Sequence, residues 1–271
     1  MSKMDKRTRA LVIFSVTFAL VYNFALWYAS RLQDVNSIVL SVEENIPFLP
    51  WTIIPYLSSG IFFWGTFSLL KNAQQLQVFL KRVLFMTGAA GLIFVVAPLK
   101  YAIPRPEIEN AVFRGLFWIL EGVDDPYNQS PSLHVAFAFA FWTVFREINS
   151  RWRPLIAIWL AMVALSTLTT YQHHLIDVFA GSILAHVTFL IFPSQHDRSY
   201  LRYKQTTNFL YLGGWCTVSA AFIIAEYVSV NWLSLLVPAA FLFVLGYLYQ
   251  LDKVGFLKSE TIRSQFTERT N

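Results

Sequence analysis

Residues 153–192 read RPLIAIWLAMVALSTLTTYQHHLIDVFAGSILAHVTFLIF. Two apolar runs, about 155–170 and 177–192, flank a polar link that carries His173, His174 and Asp177. A helix needs ~20 apolar residues to cross ~30 Å of hydrocarbon. Both runs fall short, as if part of each helix began or ended inside a polar pocket. Ionisable side chains at membrane depth are costly and mark a functional site by default.

The same pattern extends along the chain. Apolar segments recur at about 10–29, 51–70, 83–99, 133–145, 155–170, 177–192, 208–226 and 232–250. The composition agrees, with 56% hydrophobic and 14% charged residues, where soluble domains carry about 25% charged. The expected fold is all-α: a polytopic transmembrane helical bundle of about eight spans. The start, Lys3 to Arg9 followed by an apolar run, resembles a signal peptide. The run is long for that purpose and lacks a small-residue cleavage pattern, so an uncleaved first span is expected. Cys216 is the one cysteine and lies inside the seventh segment.

Lys and Arg placement orients the bundle. With the N-terminus inside and eight spans, 17 of the 21 Lys and Arg residues fall on the inner side. Arg31, Lys100, Arg105 and Arg114 fall on the outer side. The +5 net charge is therefore a topology signal, and no nucleic-acid partner is expected. The long outer segment, about 100–132, contains Ala111 to Leu120, where Val112, Leu116 and Ile119 share a face. That suits a short interfacial helix, serving as packing over the bundle or as a lid or lipid-entry ramp. The Asn128-Gln-Ser130 tripeptide fits a glycosylation sequon, a pattern common by chance.

The topology brings Lys100, Arg105, Ser132, His134, His173 and Asp177 to one membrane face. His173 and Asp177 are four apart, so on a helix they stack and can hydrogen-bond. A histidine nucleophile or base needs one ring nitrogen held by a carboxylate and the other free. His174 is three residues from Asp177 and is the weaker alternative. Ser130-Pro-Ser-Leu-His134 reads as a helix start, with Pro131 in the first turn and Ser130 as cap. Its free backbone N–H groups, with the Ser132 hydroxyl, would attract an anion, and His134 is placed to protonate a leaving oxygen. Lys100 and Arg105 offer positive charge suited to phosphate, or snorkel to lipid headgroups. A metal held by His134, His173, His174 and Asp177 is the rival use of the same residues.

These blocks resemble the type 2 phosphatidic acid phosphatase superfamily over roughly residues 45–195. That family is read from K-x6-R-P, P-S-G-H and S-R-x5-H-x3-D. Pro131, Ser132 and His134 keep the second block, and Ser166, His173 and Asp177 keep the spacing of the third. Lys100 and Arg105 are separated by four residues instead of six, Leu133 replaces the glycine, and Thr167 stands where the arginine would be. The P-S-L-H and Q-H-H-x-x-D forms look more like the branch of inositol phosphorylceramide synthases and the membrane half of bacterial dual-specificity-phosphatase fusions.

The resemblance implies a six-helix-type core and metal-independent catalysis without cofactor. His173 would attack phosphorus, Asp177 would orient it, His134 would protonate the leaving group, and Lys100, Arg105 and Ser132 would hold the phosphate. His174 and Ser166 are possible accessories. The expected organisation is a catalytic membrane domain at 1–206 with core motifs at 98–181. Two additional spans at 207–250 and a basic cytoplasmic tail at 251–271 complete it. The expected function is hydrolysis of a lipid phosphate or diphosphate through a phosphohistidine. The alternatives are phospho-head-group transfer between lipids and a non-enzymatic transporter. The expected setting is a bacterial inner membrane, with the site on the exterior face and both termini cytoplasmic. The expected partners are a lipid phosphate substrate and the bilayer. The sequence leaves the lipid, the acceptor and the oligomeric state open.

Overall fold

The computed structural model describes residues 5–251, apart from 71, 148–149, 194–197 and 229–231. The basic tail expected at 251–271 lies outside the described residues beyond Leu251, as do Lys3 and Lys71 and the side chains of Arg198, Arg202 and Lys204. The described chain is helical, with nine α-helices and no strand among the described residues. They are α1 (Lys6–Ala29), α2 (Ile53–Leu69), α3 (Ala73–Val96), α4 (Ala111–Glu121), α5 (Leu133–Phe145), α6 (Arg153–Thr169), α7 (Leu175–Ile191), α8 (Arg198–Tyr227) and α9 (Trp232–Gln250).

Each of the eight apolar segments forms one helix, and the expected interfacial segment forms α4. Three stretches, Lys6–Ala29, Ala73–Val96 and Gln205–Tyr227, are long and apolar enough to cross a membrane by length and composition. Shorter apolar helices include α5, α6 and α7.

Helix α3 begins ten residues before its apolar run. The Asn72 side chain accepts from the N–H groups of Gln74 (2.8 Å) and Gln75 (3.4 Å), which gives the polar lead-in a stable first turn. Arg82, buried on this helix, donates to the Phe192 carbonyl at the end of α7 (2.9 Å) and to Thr143 Oγ1 on α5 (3.3 Å). A cation at a helix C-terminus meets the unsatisfied carbonyls there, so this contact ties α3, α5 and α7 together at the end remote from the histidines.

The core is largely aromatic. Phe14 stacks on Phe63, and Phe137 and Phe141 meet Phe63 edge-on with centroids 4.8 and 4.7 Å away. These offset and edge contacts are the geometries ring quadrupoles favour. Helix α5 is buried along most of its length at the centre of α2, α3, α6 and α7. Helix α8 packs on α7, and α9 packs on α8.

Helix α4 is capped by Asn110, whose side chain accepts from the Val112 and Phe113 N–H groups. Of the face expected from sequence, Val112 and Ile119 are exposed, while Leu116 is half-buried against the inner cluster. The buried side is Phe117 and Leu120, packed with Ile53, Tyr56 and Ile108. Apolar residues on both sides suit a helix lying between the bundle and a lipid interface.

Candidate active site

The ends of α1, α3, α4 and α6 and the starts of α2, α5 and α7 meet at one end of the bundle. His134, His173 and Asp177 are brought together there. The turn from α6 into α7 is shaped by the Thr167 carbonyl, which accepts from the N–H groups of Gln172 (3.1 Å) and His173 (3.0 Å). Tyr171, inside this turn, takes a left-handed backbone with φ 56°. Helix α7 then starts at Leu175 with His174 as its N-cap.

This start changes the expected relation of His173 to Asp177. His173 precedes the helix, so the four-residue stacking of a helix does not apply to it. Asp177 Oδ2 accepts the His174 backbone N–H at 2.8 Å. His173 Nδ1 lies 3.6 Å from the same oxygen, beyond a hydrogen bond. The carboxylate thus holds the helix start and stands beside the imidazole. His173 Nδ1, Asp177 Oδ1 and the Ser132 hydroxyl are buried without a hydrogen-bond partner. Buried polar atoms without a partner mark places where a ligand or water completes the bonding.

The helix start expected at Ser130 is displaced by two residues. Pro131 follows a cis peptide bond, and Ser132 is the N-cap of α5. The Ser132 N–H is not free, since it donates to the Asp177 carbonyl at 3.0 Å. Gly181 permits this approach: a Cβ there would collide with the Ser132 carbonyl oxygen. The two motif segments are therefore locked to each other by backbone contacts.

His134 stacks on Tyr56 with centroids 4.0 Å apart. Its ring lies 6.3 Å from that of His173, at 61°. Both rings border a cavity of about 940 Å³, bounded by α1, α2, α5 and the loop after α4.

His174 faces elsewhere. Its Nδ1 meets Glu43 Oε2 at 2.8 Å, and its Nε2 accepts the Ala102 N–H at 3.2 Å. A backbone donor on Nε2 puts the proton on Nδ1, which then donates to Glu43. Tyr101 stacks on the ring at 4.3 Å. His174 thereby anchors the first outer loop and the 97–110 loop over the site. Of the four side chains of the metal alternative, His174 is turned away to Glu43, and among the described residues no group of three or more His, Cys, Asp or Glu is placed to hold a metal ion.

The expected phosphate ligands are only partly gathered. Arg105 pairs with Glu121 at 2.5 Å and lies over the Phe117 ring. Its Nε is buried without a partner. Lys100 is exposed on the loop, and its N–H donates to the Asn36 carbonyl at 2.9 Å. Ser166 is buried in α6, and its hydroxyl donates to the Val163 carbonyl at 2.7 Å. Neither Lys100 nor Arg105 is among the residues bordering the cavity, whose ionisable side chains besides tyrosine and the two histidines are Glu121, Asp124 and Asp125.

Sequence reasoning missed Glu43, Tyr56, Tyr22, Asp124 and Asn128. Glu43 and Asp124 read as ordinary outer-loop acids, and the tyrosines vanish in apolar runs. Asp124 accepts from the Tyr22 hydroxyl at 2.7 Å. Burial pushes its carboxyl up to about 6, a rise that the Tyr22 hydrogen bond and nearby His173 oppose. Asn128 is buried, and its side-chain N–H donates to the Tyr22 carbonyl at 3.0 Å. The sequon asparagine is thus buried against α1.

A protein-family model described as the PAP2 superfamily matches residues 79–201, a little under half of the chain. The matched region spans α3 to the first residues of α8 and contains His134, His173 and Asp177. No curated protein and no solved structure matches the chain.

Proposed function

We propose that the chain is an integral membrane enzyme that removes phosphate from a lipid phosphate ester or diphosphate through a phosphohistidine. The observation that carries this is the convergence of His134 and His173, from separate segments, on one cavity beside buried Asp177. The match to the PAP2 superfamily over this region supports phosphoryl chemistry on lipid phosphates.

His173 attacks phosphorus through Nε2, because Nδ1 faces Asp177. The N–P bond forms, the P–O bond to the lipid breaks, and His134 gives its proton to the leaving oxygen. Water then attacks phosphorus, His134 takes a proton from it, the N–P bond breaks, and phosphate leaves. Asp177 stabilises the charge that develops on the His173 ring. Ser132 supplies a hydroxyl donor. Arg105 contributes charge from the rim by exchanging Glu121 for phosphate. Phosphoryl transfer is mostly positioning and charge stabilisation, which these residues provide.

Phospho-group transfer to an alcohol is the second reading, favoured by a cavity wall that carries carboxylates and apolar rings in place of cations. In this reading the site faces the exterior of a bacterial inner membrane, with eight spans and both termini inside, an orientation that the Lys and Arg split supports.

The test supplies labelled lipid phosphates to the purified protein in detergent. Phosphate release is expected from wild type, with essentially none from His173→Ala. Substantial turnover by a stably folded His173→Ala protein overturns the assignment.

A further inference from the structure

One wall of the cavity has no role in the attack on phosphorus. Asp124 and Asn128 sit there, held together by Tyr22, whose hydroxyl donates to Asp124 and whose carbonyl accepts from Asn128. Both residues line the same cavity as His134 and His173. The Tyr22 carbonyl can only accept, so the Asn128 N–H group must face it and Oδ1 must face away. That Oδ1 is buried and has no partner, on a residue only 2% exposed. A buried acceptor left empty costs about 1–3 kcal/mol, so a donor from a ligand fits here.

The unpartnered atom of this wall is an acceptor. The Tyr22 hydroxyl is already committed, and Asp124 adds a second acceptor. A phosphate, which also only accepts when ionised, does not complement this surface. A hydroxyl does. An ammonium group is the poorer match, because a protonated nitrogen has no lone pair with which to attack phosphorus.

The rest of the cavity points to the kind of alcohol. Leu11, Phe14, Phe18, Gly60, Phe63 and Trp64 continue it away from the histidines between α1 and α2. Gly60 and Trp64 are exposed on the flank of the bundle. A channel that is polar beside the histidines and apolar toward the flank suits a molecule with a hydroxyl head and hydrocarbon chains.

We propose that Asp124, Asn128 and Tyr22 form a subsite for the hydroxyl of a lipid alcohol, which competes with water for the phosphoryl group. The proposal rests on the phosphohistidine reading. The alcohol oxygen attacks phosphorus, the bond to His173 breaks, and the alcohol proton passes by way of the Asp124 carboxylate to His134. The product is the phosphorylated lipid alcohol.

The experiment uses the full-length protein in mixed micelles with long-chain phosphatidic acid carrying labelled phosphate. Dioctanoylglycerol is added in one arm and glycerol in another. Label is expected to enter dioctanoyl phosphatidic acid with saturation, while glycerol gives a weak, unsaturable yield. Asp124→Ala and the milder Tyr22→Phe should each lower the ratio of transfer to phosphate release about tenfold or more, the worth of a hydrogen bond to a charged group. If glycerol saturates and the lipid alcohol does not, the occupant is wrong. If phosphate is released but the ratio is the same in all three proteins, the subsite is wrong while hydrolysis stands. If neither phosphate nor a transfer product forms, the phosphohistidine reading falls, and this proposal with it.

Discussion

Asp177 serves two partners, and its substitutions separate them. Its Oδ2 holds the His174 N–H, and its charge sits beside His173 Nδ1. Asp177→Asn keeps an acceptor for the N–H and loses the charge. Its melting temperature should stay near wild type while turnover drops about 100-fold, within the range of positioned acid–base groups. Asp177→Ala should lose both. Equal activity in wild type and Asp177→Asn would remove the electrostatic role. His174→Ala takes the donor from buried Glu43 Oε2, while Oε1 keeps the Leu40 N–H, a loss of about 1–3 kcal/mol for an unsatisfied buried acceptor. A thermal melt should therefore show His174→Ala far less stable than His173→Ala, and matching melts would contradict the anchoring role. Asp124 adds a pH signature. Its folded carboxyl is raised to about 6, above the ordinary carboxylate. As pH climbs through roughly 4 to 6, the unfolded chain ionises first and the folded state loses relative stability. Melts of Asp124→Asn should lack this decline, and parallel profiles would contradict it. The residue types of His134, His173 and Asp177 were legible because His and Asp stand out against apolar runs. Glu43, Tyr22 and Asn128 were not, since their partners lie about a hundred residues or more away along the chain.

Helix starts determine the site's geometry. The apolar segments located eight of the nine α-helices, the amphipathic stretch 111–120 located α4, and α5 spans the same residues as its segment. Where sequence and structure part, a cap or a turn is responsible. Asn72 extends α3 backwards, and Ser132 rather than Ser130 caps α5. His174 caps α7, which leaves His173 outside it. Spacing of four residues told where His173 and Asp177 stood, but not whether the helix had begun. Gly181 shows how the two motif turns depend on each other. Gly181→Ala drives a Cβ into the Ser132 carbonyl, and overpacking of this kind costs about 1–3 kcal/mol. Lower stability and impaired turnover are expected together, because the turn carrying His134 must shift. Gly115→Ala on α4 meets nothing within 4 Å and serves as the comparison. If the two variants melt and turn over alike, the locked-turn account is wrong.

At the scale of the whole molecule, the bundle separates two ends. One end collects the histidines, Asp177 and the roof made by α4. The other holds Arg82 clasping α3, α5 and α7. The all-helical architecture was legible from apolar segmentation, but the cavity was not, because it is bounded by α1, α2, α5 and a loop that no linear pattern links. The charge asymmetry predicts that reporters fused after Gln250 and within residues 107–125 lie on opposite sides of the membrane. Identical reporter behaviour at both sites would remove the eight-span topology. If His173 carries the phosphoryl group, the phosphohistidine can be trapped. Wild-type protein is mixed briefly with labelled lipid phosphate, quenched in alkali, and mapped by peptide. The label should be acid-labile, stable to base and located on His173. A wild-type protein that turns over substrate without labelling His173, or that labels another residue instead, would contradict the account.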